Sequence, residues 1–396
     1  MAYNDPTQDI FDRYATKWID QVEGLKERIL SNLVMVSQIP AQTFQEADRG
    51  AYVLERFIEC GVEGSIMDKL GNVSGIIRGR NSTRSILISA HMDTLFDSSY
   101  DHNVSIDTNR AEGTGIADNA LGVSFLISLP EILEMCKISF DCDIQLLATV
   151  SSKEKGDFSG IRFFLDNALR QPSYHLNIEG ITLGQVDHSS LSRVRADISA
   201  SFHLEQASSW RTLTQVSAIM MLSDIMDCLF SIPLPGKPKT VLNVGRIEGG
   251  NSYSRICSNA SLQLEVRSES DEITENLMDQ IKDSCHEIAA KYGVEFNVNF
   301  FSRNNVAGLK YSHPLVKAAN SIVKNFNIKT KMGPSNSEIA VSLSKNIPSV
   351  TLGLTTGAED KDIKSYVNLE TIPKGIVQIM LLIESIDKGY CDDEHK

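Results

Sequence analysis

What most constrains the fold of this chain is a set of short, largely apolar runs that end abruptly in polar, chemistry-bearing residues. Ser85 to Ala90 (SILISA) runs straight into HMDT, Ile144 to Val150 (IQLLATV) into a charged loop, and Tyr174 to Ile178 (YHLNI) into Glu179. Short runs of this length, predominantly apolar and bounded by polar loops, read as buried strands. Between them, Leu121 to Leu133 reads as an apolar helix and Gly160 to Leu169 as another, and Thr16 to Glu59 has helical spacing. Strand–helix alternation with functional residues at strand ends is the doubly wound α/β pattern.

Near Ser190 the texture changes. Arg193 to Leu204 alternates as a half-exposed strand, Ser208 to Leu229 reads as one long amphipathic helix, and Thr240 to Ile247 and Ala260 to Arg267 read as strands joined through GGNSYS. Glu272 to Tyr292 follows as a helix and Glu295 to Phe301 as a strand, giving one β-α-β-β-α-β module. After about Asn305 the first texture returns, with helices at His313 to Phe326 and Ile372 to Ile386 and a short strand at Ser349 to Gly353. A chain of 396 residues exceeds one ordinary core. The expectation is an α/β domain of residues 1–190 and 306–396, interrupted by an inserted α+β domain of residues 191–305.

Composition narrows the function classes. With 38 Lys+Arg against 51 Asp+Glu the net charge is −13, which argues against a nucleic-acid binder. No run of about eighteen uninterrupted apolar residues occurs, and MAYNDPTQDIFDRYATKW has no basic region before an apolar core, so neither a membrane partner nor a secretory signal is expected. The seven scattered cysteines make no disulfide framework and no zinc-knuckle spacing, which points to a reducing, cytoplasmic location.

Six segments, ISAHMDTLF, EGTGIADNALG, VSSKEKGDFSG, NIEG, TVLNVGRIEGGNSYSRI and IPSVTLG, occur in that order along nearly the whole chain. Together they resemble the co-catalytic zinc aminopeptidase and amidohydrolase family, which includes peptidase T, carboxypeptidase G and acetylornithine deacetylase. The resemblance implies a three-layer α/β domain of the zinc-aminopeptidase (phosphorylase/hydrolase-like) type, with an inserted ferredoxin-like lid and dimerisation domain. It also implies two zinc ions about 3.5–4 Å apart that polarise an amide carbonyl and generate a bridging hydroxide. By the same resemblance, His91 and Glu179 match first-metal ligands and Asp118 the bridging aspartate. Asp93 matches the acid that orients the imidazole.

The pattern then breaks. Where the family has two adjacent glutamates, the general base and a second-metal ligand, this chain has Ser152 and Lys153. The second-metal histidine falls on Lys361, and the only histidine after His313 is His395. The family's lid histidine falls near Ser208 and its substrate-binding asparagine on Ser254, while Arg267 remains in EVRS. Lys153 and Lys361 would balance Asp118 and Glu179 with no metal present. An ammonium about 5 Å from a dication costs about 6–7 kcal/mol at an effective dielectric of about 20, before neighbouring carboxylates offset it. None or one zinc is therefore expected, not two.

Other readings of the same residues stand beside this one. Lys153 and Lys361 could be solvated loop lysines, and Ser152 with Lys153 could be a Ser–Lys nucleophile pair. A one-residue slip could bring Glu154 into the site, with Glu359 or Asp360 replacing the missing histidine. The function expected is an amidohydrolase-type homologue that binds an amino-acid, peptide or acyl-amino-acid group as a pseudoenzyme. The alternative is an enzyme with altered chemistry, through single-metal hydrolysis or lysine-assisted acyl transfer or condensation. A homodimer, or a pair with an active relative, is expected from the resemblance.

Overall fold

The computed structural model describes residues 6–82, 84–202, 217–359 and 364–393. The chain divides into two compact units, one formed by Met1–Ser190 with Ala307–Lys396 and the other by Leu191–Val306.

The first unit is built on a nine-stranded mixed sheet. Its centre is parallel, with Asp143–Thr149, Ser85–His91, Tyr174–Glu179 and Ser349–Gly353 side by side. All seven residues of Ser85–His91 are buried. Successive side chains leave opposite faces of the strand. Ile86 and Ile88 therefore enter one core, with Phe125 and Leu129 of helix Leu121–Cys136 and Ile379 and Ile383 of helix Ile372–Asp387. Leu87 enters a separate core on the other face, with Leu147, Ile161, Leu165, Val341 and Ile347. Helices thus cover both faces, which is the three-layer α/β architecture. Each fully buried Leu or Ile contributes about 1.5–3 kcal/mol.

Sequence periodicity missed several strands. The stretch from Thr16 to Glu59, with its helical spacing, belongs to three helices, Pro6–Glu23, Lys26–Gln38 and Ala47–Glu59. Glu63–Met67 and Val73–Ile77, which extend the sheet antiparallel, are partly exposed and carry little apolar signal. A further four-stranded sheet of Ser105–Ile106, Arg110–Thr114, Gly357–Glu359 and Lys364–Asn368 is short and polar. Ile116–Cys136 is long and apolar enough by length and composition to cross a bilayer, and 89% of its most apolar window is buried as core.

The second unit is an antiparallel sheet in the order Thr240–Gly249, Asn259–Ser268, Ser192–Ser201, Glu295–Asn304, with helices Ala218–Ser231 and Asp271–Tyr292. Val194, Ile198, Leu222, Ile225, Leu262 and Ile281 share its core. Ser217 and Ser270 cap the two helices by accepting from the backbone N–H of Met220 and Ile273. The expected helix start at Ser208 lies outside the described residues.

Candidate functional site

Three elements of the first unit deliver acids and a histidine to one place. Strand Ser85–His91 ends on His91, which is 6% exposed, and the chain turns at once to bury Asp93. The turn is held from behind by Arg49, whose Nη1 donates to the Met92 carbonyl at 2.6 Å and whose Nε donates to the Ile39 carbonyl at 3.0 Å. Burial pulls the Arg49 guanidinium down to about 10, partly offset by Asp93 and Glu46. Strand Tyr174–Glu179 ends on Glu179. Asp118 lies on the segment before helix Leu121–Cys136, and its neighbour Asn119 donates to the Ile178 carbonyl at 2.7 Å. That bond ties the Asp118 segment to the strand that carries Glu179.

The imidazole is fully enclosed by acceptors. Its Nδ1 lies 3.0 Å from the Asp93 carbonyl oxygen and 3.4 Å from Asp93 Oδ1. Its Nε2 lies 3.0 Å from Asp118 Oδ1 and 3.7 Å from Glu179 Oε2. Burial and the Lys153 charge push His91 down, but Asp118, Asp93 and Glu179 outweigh them and hold it well above its ordinary value. Burial raises Asp93, yet His91, the Lys153 N–H and Thr43 bring it below the usual carboxylate range.

Lys153 is drawn into the site. Its ammonium donates to Asp118 Oδ2, the oxygen not facing His91. Its backbone N–H and that of Ser152 donate to Asp93 Oδ2 at 2.8 and 3.0 Å, and Thr43 Oγ1 donates to the same oxygen at 2.9 Å. Burial lowers the Lys153 ammonium, but Asp118 and Glu179 outweigh it and leave it above its ordinary value. Burial opposes, but Lys153 and His91 hold Asp118 far below the usual range. Lys153 is therefore no solvated loop lysine. Glu154, the residue a register slip would bring in, is exposed in the turn Glu154–Gly156. Nor is Ser152 aimed at Lys153, because its hydroxyl donates to Glu338 Oε1.

Lys361, Ser208, Asp360 and His395 lie outside the described residues. Ser254 and Arg267 belong to the second unit. Ser254 is exposed, with its Oγ 3.4 Å from Ser252 Oγ, and Arg267 Nε donates to Glu265 at 2.5 Å.

Sequence reading missed a polar layer beneath the site. Glu338, 1% exposed, accepts from Thr149 and Ser89 as well as Ser152. Ser89 also meets His175 Nε2 at 2.8 Å, and His175 Nδ1 meets Ser342 Oγ at 2.7 Å. Asn177 Nδ2 donates to Glu179 Oε1 at 3.2 Å. The one available signal was SNSEIA, an acid placed directly before an apolar run.

His91, Asp118 and Glu179 each offer one ligand atom within 4.8 Å of the others, the one such group among the described residues. One nitrogen and two carboxylate oxygens suit a single zinc with an open position. A second ion bridged by Asp118 does not fit, since the oxygen it would need is bonded to an ammonium.

The profile of Peptidase family M20/M25/M40 matches residues 87–385. The Bacillus subtilis (strain 168) protein YqjE, uncharacterized, is 25% identical over 385 residues, 92% of this chain and 99% of its own. An acetylornithine deacetylase of Vibrio campbellii is 25% identical over 67% of this chain and 73% of its own. The Bacillus subtilis YXEP protein, a dinuclear metal binding peptidase from the M20 family, superposes with a TM-score of 0.64 at 16% identity, covering 92% of this chain and 99% of its own. The family match runs from the strand that presents His91 to the helix Ile372–Asp387, and the chain belongs to the M20/M25/M40 peptidase family.

Proposed function

We propose that this protein is an M20-type homologue that has lost ordinary two-zinc hydrolysis and binds an amino-acid, peptide or acyl-amino-acid group as a pseudoenzyme, with one zinc at most. In this reading His91, Asp118 and Glu179 are the metal ligands, Asp93 orients the imidazole, and Lys153 and Lys361 stand at second-metal positions. The carrying observation is the Lys153 ammonium on the outer oxygen of Asp118. The second support is Ser152 at the general-base position, since losing such a base costs about two to four orders of magnitude in rate. A bound zinc would supply Lewis-acid polarisation of an amide carbonyl. Ser254, Arg267 and Ser208 are the substrate-side residues of the reading.

Metal analysis tests it: less than one zinc per purified chain is expected, and two would end the reading. Ser152→Glu, Lys153→Glu and Lys361→His together should raise zinc binding. If the triple variant binds no more than the parent, the three positions are misassigned.

The intact His91, Asp118 and Glu179 group favours a second reading, an enzyme of altered chemistry acting by single-metal amide hydrolysis or by lysine-assisted acyl transfer or condensation. A screen of dipeptides and N-acyl amino acids, with and without chelator, separates the two, because chelator-insensitive turnover points to the lysine. Homodimerisation, or pairing with an active relative, is read by light scattering at micromolar concentration. The seven unpaired cysteines support a cytoplasmic location, which cell fractionation checks.

A further inference from the structure

Ser152 follows the buried strand Asp143–Thr149 at a sharp bend. Its predecessor Ser151 has φ 54°, in the left-handed region that non-glycine residues rarely occupy. The bend is braced by Gly156, where an added Cβ would come within 2.5 Å of the Ser151 backbone, and by Glu46, which accepts from the Ser151 N–H at 2.8 Å. Backbone held in such a conformation is concentrated at functional sites. The bend delivers the Ser152 hydroxyl to Glu338 Oε1.

Glu338 is held by neutral groups. Thr149 Oγ1 donates to Oε1 at 2.6 Å and Ser89 Oγ to Oε2 at 3.1 Å. The charges whose field reaches it are those of His91 and Asp93. Burial pushes its carboxyl above the ordinary range, while the Ser152 and Thr149 hydroxyls and His91 restrain it. A carboxylate bonded to a serine hydroxyl and enriched in basicity by burial is the arrangement that activates a nucleophile. The Ser152 and Lys153 N–H groups are both committed to Asp93, so they cannot receive a developing oxyanion. Of the two lysines on this loop, Lys153 is the one whose ammonium is held in the site, on Asp118.

We propose that Ser152 is a nucleophile with Glu338 as its base, and that the pair accepts the acyl group of an activated acyl donor, an ester or thioester of an acyl amino acid. This rests on the acyl-transfer reading given above and replaces its lysine by Glu338 as the proton acceptor. In acylation, Ser152 Oγ bonds to the carbonyl carbon as its proton passes to Glu338 Oε1. The bond to the alkoxide or thiolate breaks, and that group leaves with the proton returned from Glu338. An amine acceptor then bonds to the acyl carbon, the Ser152 ester bond breaks, and the amine's proton returns to Ser152 through Glu338. The sum is ester plus amine giving amide plus alcohol, or thiol from a thioester, with no oxidant or reductant.

The test treats the full chain with p-nitrophenyl acetate and, separately, with a fluorophosphonate, locates adducts by peptide mass spectrometry, and measures zinc on the same samples. The expected adduct is on Ser152, absent from Ser152→Ala and formed about 100-fold or more slowly in Glu338→Gln. In the parent, the labelling rate should rise with pH through one ionisation. Thr149→Val removes a donor to Glu338 and should move that midpoint upward. An unmodified Ser152, or an unchanged labelling rate in Glu338→Gln, overturns the pair. Should Glu338→Gln fail to fold, an unshifted midpoint in Thr149→Val overturns it instead. Less than one zinc without an adduct leaves the pseudoenzyme reading standing and removes only this pair. Two zincs with an adduct do the reverse.

Discussion

The Asp118 carboxylate divides its oxygens between His91 Nε2 and the Lys153 ammonium. Removing the ammonium leaves a partly buried charge with half its compensation, at a cost of about 1–3 kcal/mol. Lys153→Met should therefore lower Tm by a few degrees, and added zinc should raise the Tm of the variant more than that of the parent, both by scanning fluorimetry. An unchanged Tm would mean that Lys153 does not hold Asp118. His91 and Glu179 were legible as strand-end residues from the apolar runs they terminate, while their sharing one site with Lys153 was legible only through the family resemblance. Glu338 was not, because its one local signal, an acid directly before the short apolar run Ile339–Ser344, says nothing of what it will be buried against. Only the packing of Ile339–Ser344 against the sheet buries it beside Ser152.

Among the elements, the loop between Thr149 and Ser159 decides what the site presents. Two glycines fix its path: Gly156 against the Ser151 backbone and Gly160, where a Cβ would come within 2.2 Å of the Val150 carbonyl oxygen. Neither neighbour is the movable end of a side chain. Gly156→Ala should cost more than about 2 kcal/mol in urea unfolding, with weaker bonding of Lys153 to Asp118 as the local result. A loss below about 0.5 kcal/mol would show that the loop has another path. Strands buried on both faces were readable, since Ser85–His91 and Asp143–Thr149 are mostly apolar and do not alternate strictly. Arg110–Thr114 and Lys364–Asn368 were not, since their pairing depends on each other across some 250 residues and leaves no apolar run.

Across the whole molecule, acid stability should bear the mark of His175. Burial lowers it to about 3, against about 6.5 in the unfolded chain. Below about pH 6.5 the unfolded state takes up a proton that the native state refuses. Stability should therefore fall as pH falls, by about 1.4 kcal/mol per unit from this group until pH approaches 3. Urea unfolding of the parent at pH 6 and 4.5 should show that loss, and His175→Gln should show a smaller one; equal slopes would exclude His175 as its source. The three-layer architecture of the first unit and the antiparallel sheet of the second both follow from how strand burial alternates or fails to alternate. The Lys153 ammonium has a different kind of reach. A cation tethered to the main chain cannot dissociate, be chelated or exchange for another ion. The charge that offsets Asp118 is thus present in every copy of the protein, at the same stoichiometry, in a cell starved of zinc as in one replete with it.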